Sequence, residues 1–328
     1  MTQNTMNTTA FIEAQQYSKF ILDNLEPYLL PEIFWRDVSD FAKGTTLNIK
    51  TVGDVVLQEA TEDVPLAYNP IDTGNVTLTI TDYVGDAWAV SDDLRVEGSQ
   101  IDQLMAMRGM ASTRALAQHH ETRFLANAAT IQTNASVNLV NNQPHRWVAG
   151  GSGGTNRIMT FVDLLAMQLS FDEADVPAEG RVAIVPPVVG ATLNGLANVT
   201  NLLSPNPMIQ SVLNTGFVKN HKFIGNLYGW DLWTSTRLPR KTATEALNAS
   251  SYGLANDTAE IGDVASIFMC IADDNCKPMM HAWRKMPSVE GWHDYNLRQD
   301  KFQTVSKFGY GGQRTDTIGV IWTAPTRG

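Results

Sequence analysis

The sequence predicts an α+β fold with projecting pieces, and three observations carry that reading. Stretches between Thr45 and Val84 alternate with period two, the run from Ser99 to Asn127 forms helix with no proline in it, and shorter helix and strand signals fill the remainder. The 328 residues are 43% hydrophobic and 18% charged. That is the balance of a folded chain, long enough for two or three compact units, and it excludes disorder as the main state.

Near the start, Phe11, Ala14, Ile21, Leu22 and Leu25 recur at helical spacing until Pro27 and Pro31 end the pattern ahead of the aromatic pair Phe34-Trp35. A helix of about four turns is marginal alone. Its apolar side therefore needs a surface, either on its own core or on a neighbour. Leu47 and Ile49 then alternate along Thr45–Val52, and Val76, Leu78 and Ile80 along Val76–Val84, which predicts two strands. The segment joining them carries Pro65, Pro70 and Gly74 and is too long for a tight hairpin turn, so the pair reads as an extended flap.

Between Lys50 and Arg95 the acidic residues are Asp54, Glu59, Glu62, Asp63, Asp72, Asp82, Asp86, Asp92 and Asp93, with no Lys, Arg or His among them. Such a flap is either solvated or laid against a basic surface of another subunit. A two-stranded ribbon gains little order by itself, which favours a partner.

Ser99-Gln-Ile-Asp102 resembles a capping box and opens the long helix, on the order of 40 Å at 1.5 Å per residue. Leu104, Met107, Ala111 and Ala115 form one stripe, widened by Ile101, Met105 and Leu116 and interrupted by Arg108 and His119. The helix is therefore expected to touch protein on more than one side. Gly150–Gly154 is linker chemistry.

A compact α+β unit follows. Thr160-x-x-Asp163 caps a helix with Phe161, Leu164, Leu165 and Phe171, Val182–Val185 is a buried strand stopped by Pro186-Pro187, and helical pieces lie near Val188–Leu196 and Pro207–Leu213. A strand pair spans Lys222–Ser235, a strand spans Val264–Ile271, and Arg240–Asp263 reads as a surface loop. The end of the chain is strand-like at Met279–Lys285, Phe302–Phe308 and Thr317–Trp322, with Tyr310-Gly-Gly312 as a turn. Two basic groups, one with Arg237, Arg240 and Lys241 and one with Arg284, Lys285, Arg298 and Lys301, are the natural partners for the acidic flap.

Chemistry of other kinds is missing. Lys and Arg number 24 against 34 Asp and Glu, a net charge of −10, which argues against a surface that clamps nucleic acid. The two cysteines, Cys270 and Cys276, match neither a zinc site nor a disulfide framework and read as reduced thiols. Adjacent His119 and His120 point about 100° apart on a helix and cannot share an ion. Asp273-Asp274 lacks the pattern of a calcium loop. Nucleophile elbow, dinucleotide fingerprint and phosphate loop are all absent, so no catalytic residue, cofactor or metal ligand is nominated. No secretory signal or membrane span is expected, because the best apolar stretch, Val182 to Leu193, is broken by Pro186, Pro187 and Gly190.

The order of parts carries a resemblance. FWRDVSDFAKGTTLNIKTVGDVV leads into the flap, TLTITDYVGDAWAVSDDLRVEG feeds the helix SQIDQLMAMRGMASTRALAQHHETRFLAN, and GWDLWTSTRLPR lies late in the compact unit. In this arrangement the chain resembles the major capsid proteins of tailed bacteriophages, with the Hong Kong 97-type fold. The resemblance implies an N-terminal arm at 1–43, an E-loop at 44–95, a P-domain at 96–156 with its spine helix at 99–127, an A-domain at 157–275, and C-terminal strands at 276–328 that return to both domains.

It also implies a structural, non-enzymatic role. Many copies form the hexamers and pentamers of an icosahedral head around double-stranded DNA, made in the bacterial host cytoplasm and resident in the virion. Each flap lies over a neighbour, so that Asp54, Glu59, Glu62, Asp63 and Asp72 meet the basic groups. Portal, decoration protein and a separate scaffolding protein are the expected partners, the last because no long charged helical leader is visible. Some members join a flap Lys to a neighbour's Asn, but Thr51–Leu94 contains no Lys here. An encapsulin-like compartment shell and a cytosolic enzyme of unrecognised motif are the alternatives.

Overall fold

A computed structural model describes residues 32–40, 44–52, 58–60, 62, 73–93, 101–131, 139–140, 143–150, 157–193, 223–247 and 257–326. The proposed arm helix, the cap at Ser99, most of Gly150–Gly154 and the helical piece at Pro207–Leu213 lie outside them. In chain order the strands are β1 (Arg36–Asp37), β2 (Thr46–Val52), β3 (Thr73–Thr79) and β4 (Asp82–Ser91), followed by the helix α1 (Ile101–Thr130). Then come β5 (Leu139–Val140), β6 (Gln143–Pro144), β7 (Arg146–Val148), the helix α2 (Phe161–Glu173) and β8 (Arg181–Val185). The remainder is β9 (Phe223–Leu227), β10 (Trp230–Thr234), β11 (Glu245–Leu247), β12 (Asp257–Ala259), β13 (Val264–Cys270), β14 (Met279–Asp294), β15 (Gln299–Gly312) and β16 (Ile318–Thr323).

Two sheets dominate. The first runs β1-β14-β15-β4 and the second β7-β16-β13-β8-β10-β9. In the second, β8, β13 and β16 are buried along their whole length, because both faces are covered. One face, with Ile184, Ile267 and Val320, meets Phe124, Leu125 and Ala128 of α1. The other, with Ala183, Phe268 and Ile321, meets Leu164, Met167 and Phe171 of α2. The same α1 residues also reach Phe308 and Tyr310 of the first sheet, so the C-terminal half of the long helix is the wedge between the two sheets. Phe34 packs edge-on to Trp233 at 5.4 Å and Trp35 lies 5.2 Å from Phe124, which anchors the leading segment in this core.

Local chemistry explains several junctions. The hairpin from β9 to β10 turns on Tyr228 and Gly229, with φ of 51° and 78°, the two positive values that a tight right-twisted hairpin requires. At the start of α2 the Asp163 carboxylate accepts the Thr160 N–H at 2.8 Å and its hydroxyl at 2.9 Å, as the sequence predicts. Burial pushes the Asp163 carboxyl up, while these donors pull it down. Asp163→Ala is therefore expected to destabilise the protein by about 1–2 kcal/mol, read as a lower urea midpoint at an unchanged slope. An unshifted midpoint would show that the cap contributes nothing.

Five expectations need correction. The second flap strand is two strands, since Ile80 donates to the Thr45 carbonyl at 2.8 Å as the last ribbon contact and β4 then pairs with β15. Tyr310-Gly-Gly312 is not a turn but the end of β15, where the lack of side chains lets β3 lie close. The strands predicted to end at Lys285 and to start at Phe302 extend to Asp294 and from Gln299. Pro287 does not stop β14 because β1 pairs only at Met280 and His281, leaving that stretch at the sheet edge, where a missing N–H costs little. Arg240–Asp263 includes the short ribbon β11–β12 rather than loop alone.

The fifth correction concerns α1. Met107, Ala111 and Ala115, read as its apolar stripe, are exposed, and the buried side carries Thr113, Leu116, Ala117, His120, Glu121, Phe124 and Leu125. Polar residues occupy that side because they find partners there. Thr113 bonds back to the Gly109 carbonyl at 3.0 Å, His120 Nδ1 lies 3.1 Å from the Tyr310 hydroxyl, and Glu121 accepts the Ser235 hydroxyl at 2.5 Å.

Candidate assembly surfaces

The β2–β3 ribbon is in register from Thr46↔Thr79 to Val52↔Thr73. Its inward face pairs Leu47 with Leu78 and Ile49 with Val76, and these pack with Met280 and Ala282 of β14. Burial fades along the ribbon: Leu78 is fully buried, Val76 half-buried and Gly74 exposed. The base is held by its own chain, and the cover thins outward. Of the predicted flap residues, Glu59 and Glu62 are exposed, while Asp54, Asp63 and Asp72 lie outside the described residues.

The flap's inner acids are not free for a neighbour. Asp82 holds Arg123, and Asp86 holds Arg108 at 2.7 Å, fastening α1 along β4. Arg108 also sits 5.8 Å from the Trp88 ring.

The predicted basic partners divide in two. Lys241 is committed within its own chain, bonded to Glu245 and lying 4.5 Å over the Trp322 ring, while Arg146 forks onto the same carboxylate at 2.6 and 2.8 Å. Burial pushes the Glu245 carboxyl up, but Lys241 and Arg146 outweigh it and hold it low. Lys285 meets Glu290 and Lys301 meets Asp294, each at 2.6 Å. The Lys285 pair is largely exposed, and such pairs exchange partners at little cost. Arg240 and Arg298 are exposed, whereas Arg237 and Arg284 are half-buried. Arg240 lines a shallow pocket with Pro186, Pro187 and Leu238.

Two exposed apolar surfaces involve residues that sequence reasoning named in part, Leu165 on the second helix and Met107 on the long one. Val162, Leu165 and Leu169 stand 60%, 43% and 59% exposed on the outer side of α2, spaced as one helical stripe, and Met107 and Met110 do the same on α1. The signal for the first was available, since FVDLLAMQLSF is apolar all round and such a helix expects cover on both sides. Among the described residues no helix is long and apolar enough to cross a membrane.

The residues weighed for metal chemistry have other partners. His120 is stacked on Phe308 at 3.7 Å and Asp274 is paired with Lys277 at 2.7 Å. Among the described residues one cluster, Asp92 with His293 and Asp300, brings three metal-capable groups together.

No curated protein matches the sequence. Among solved structures the chain is similar to the capsid of the cyanophage P-SCSP1u, at a TM-score of 0.62 and 15% identity over 90% of this chain and 88% of that one. It is also similar to the capsid of cyanophage Pam1, at 0.59 and 14% over 92% of each. A virus-like particle from Pyrococcus furiosus matches at 0.51 and 8%, over 94% of this chain and 99% of that one. The fold is therefore of the Hong Kong 97 type. Residues 74–323 match the phage capsid protein family, a span from the outer end of the ribbon to the last strand of the six-stranded sheet, and the chain belongs to that family.

Proposed function

We propose that copies of this capsid protein close into an icosahedral head of hexamers and pentamers around double-stranded DNA. The observation that carries the reading is the ribbon, whose apolar face is covered by its own chain at Leu78 and progressively less toward Gly74. In this reading the segment 44–95 is the E-loop and reaches a neighbour, α1 is the spine of the P-domain with the four-stranded sheet, and the six-stranded sheet is the A-domain core. Exposed Glu59 and Glu62, with Asp54, Asp63 and Asp72, face Arg240, Arg298 and Lys285 of the next subunit. Lys241 drops out, because its charge is used inside the chain. The stripe Val162, Leu165 and Leu169 and the pair Met107 and Met110 supply apolar contact between copies. Each contact is weak, and their number makes the shell stable.

A net charge of −10 suits a wall that encloses DNA without gripping it. Scaffolding protein, portal and decoration protein are the partners this function needs, with synthesis in the host cytoplasm. An encapsulin-like compartment shell is the second reading, since the same fold would build it. Electron microscopy of the chain expressed with its scaffold is expected to show closed shells. A cargo enzyme inside in place of DNA would favour the compartment, and a monodisperse monomer would overturn both.

Glu59, Glu62 and Asp63 changed together to Lys are expected to abolish shells while the far-ultraviolet circular dichroism of the subunit stays unchanged, since Glu59 and Glu62 are exposed. Normal particles from that variant, sedimenting as the parent does, would show that the flap charge is merely solvated.

A further inference from the structure

At the outer end of the four-stranded sheet, cross-strand register gathers three metal-capable side chains. His293 of β14 is paired with Asp300 of β15, and Asp300 is paired with Val90 of β4. Side chains alternate along a strand, so His293, Asp300 and Val90 share one face, and Asp92 follows just past the end of β4 at Ser91, where the chain turns helical. The Asp92 N–H donates to the Arg298 carbonyl at 3.0 Å, tying the end of β4 to the hairpin. One ligand atom from each of Asp92, His293 and Asp300 lies within 4.8 Å of the other two. All three residues are half-buried. His293 Nδ1 is 2.6 Å from Asp300 Oδ1, and the Tyr295 ring packs edge-on against the imidazole at 4.6 Å. The neighbouring cation Lys301 is engaged by Asp294.

We propose that Asp92, His293 and Asp300 form a binding site for a divalent transition metal, zinc best of all. One imidazole nitrogen and two carboxylate oxygens are a zinc donor set, with the fourth tetrahedral position left to water. Calcium or magnesium would ask for six or more oxygens, which this cluster does not offer. A tetrahedral ion sets its ligands about 3.3 Å apart, so His293 and Asp300 must open slightly from their 2.6 Å contact while Asp92, within 4.8 Å of both, closes in. The imidazole binds as a neutral ligand through its unprotonated nitrogen and keeps its N–H on the other ring nitrogen.

The ion pins the end of β4 to the tip of the β14–β15 hairpin. Among the described residues that tip has the small cluster of Val289, Phe302 and Trp88 beneath it, separate from the main core, so a staple there adds rigidity to a lightly packed end. The site stands whether or not the shell reading does.

The test is calorimetric titration of Zn2+ into the purified full chain after treatment with a chelator, with Co2+ as a visible-absorption probe. One Zn2+ per chain is expected at a Kd below about 10 µM. Asp92→Asn and His293→Gln are each expected to weaken binding at least about tenfold and to lose the Co2+ bands. His293→Gln also breaks the pair with Asp300 and could loosen the hairpin. Asp92→Asn leaves that pair intact, and it must still lose affinity. Absence of stoichiometric binding at 100-fold that concentration of Zn2+, or equal binding by the parent and Asp92→Asn, overturns the proposal.

Discussion

Gly309→Val is expected to lift the β2–β3 ribbon off the four-stranded sheet and to destabilise the protein by about 3 kcal/mol. A Cβ at Gly309 would lie 2.9 Å from both the Ile80 Cα and the Thr79 carbonyl oxygen. These are backbone atoms, so no side-chain rotation relieves the contact. The ribbon must move, and with it Leu78 and Ile80 leave their places against Met280 and Ala282. Gly311→Ala is the internal control. Its nearest contact, at 2.8 Å, is the Leu78 Cδ1, the far end of a flexible side chain, so a smaller loss is expected. Urea denaturation and limited proteolysis within 44–80 read both variants. Equal stability of Gly309→Val and the parent, with the ribbon still protected, would show that the close approach is not what holds it. Under the proposed function Gly309→Val also fails to form shells, because the flap is aimed wrongly.

The second large effect is loss of stability in acid. Burial lowers His120 to a pKa of about 3, with the nearby His281 and His119 adding to the effect. Burial likewise lowers His281 to about 4, against a smaller opposing pull from Asp37. Both rings lie among Trp283, Phe308 and Tyr310, beneath α1. In the unfolded chain they protonate near 6.5, and in the folded protein they stay neutral.

The unfolded state therefore binds more protons below pH 6.5. The stability held by the neutral rings is complete above that pH and declines as pH falls, toward about 4 for His281 and about 3 for His120. At about 1.4 kcal/mol per unit per ring, two units below the upper limit cost about 5 kcal/mol for the pair. His120→Phe, which keeps a ring against Phe308, is expected to remove about half of the slope of urea midpoint against pH between 6 and 4.5. A parent protein whose midpoint is flat across that interval would contradict the account. α1 is the element most exposed to this loss, since His120 sits on its buried side and links it to Tyr310.

Much of the architecture could be read from local pattern. Period-two alternation located the ribbon, the absence of proline marked the long helix, and Thr160 with Asp163 announced the start of α2. The family resemblance came from the order of these parts rather than from any motif, and the match over 74–323 agrees with it. Errors arose where a residue's meaning depended on a remote neighbour. Gly311 and Gly312 look like a turn until Leu78 of β3 is laid beside the first and Ile131, just past α1, beside the second. The strand expected to end at Lys285 runs on through Pro287 because β1 is too short to need its N–H. The stripe of Met107, Ala111 and Ala115 looked like a protein-facing side of α1, yet the sheets cover the side with Leu116, Ala117, Phe124 and Leu125. His120 and Glu121 are buried because Tyr310 and Ser235, more than a hundred residues away, satisfy them.

The same holds for the candidate contacts. Acidic and basic runs were visible as charge in the sequence, but whether a lysine is available is a question of distance. Lys241 is taken by Glu245, whereas Arg240 beside it is exposed. Nothing in the sequence joins Asp92 to His293 and Asp300, since the pairing of β4 with β15 and the Asp92 bond to the Arg298 carbonyl bring them within 4.8 Å.

By itself, then, the amino-acid order determined where the flap ribbon, the long helix α1 and the helix α2 lie, because backbone preference and hydrophobic period are local properties, and the order of these parts pointed to the family. Only the tertiary structure decided which side of α1 is buried, which charges are already neutralised and where three metal-capable groups meet. Those depend on pairings across long separations, and their energies exist only once the partners are in contact.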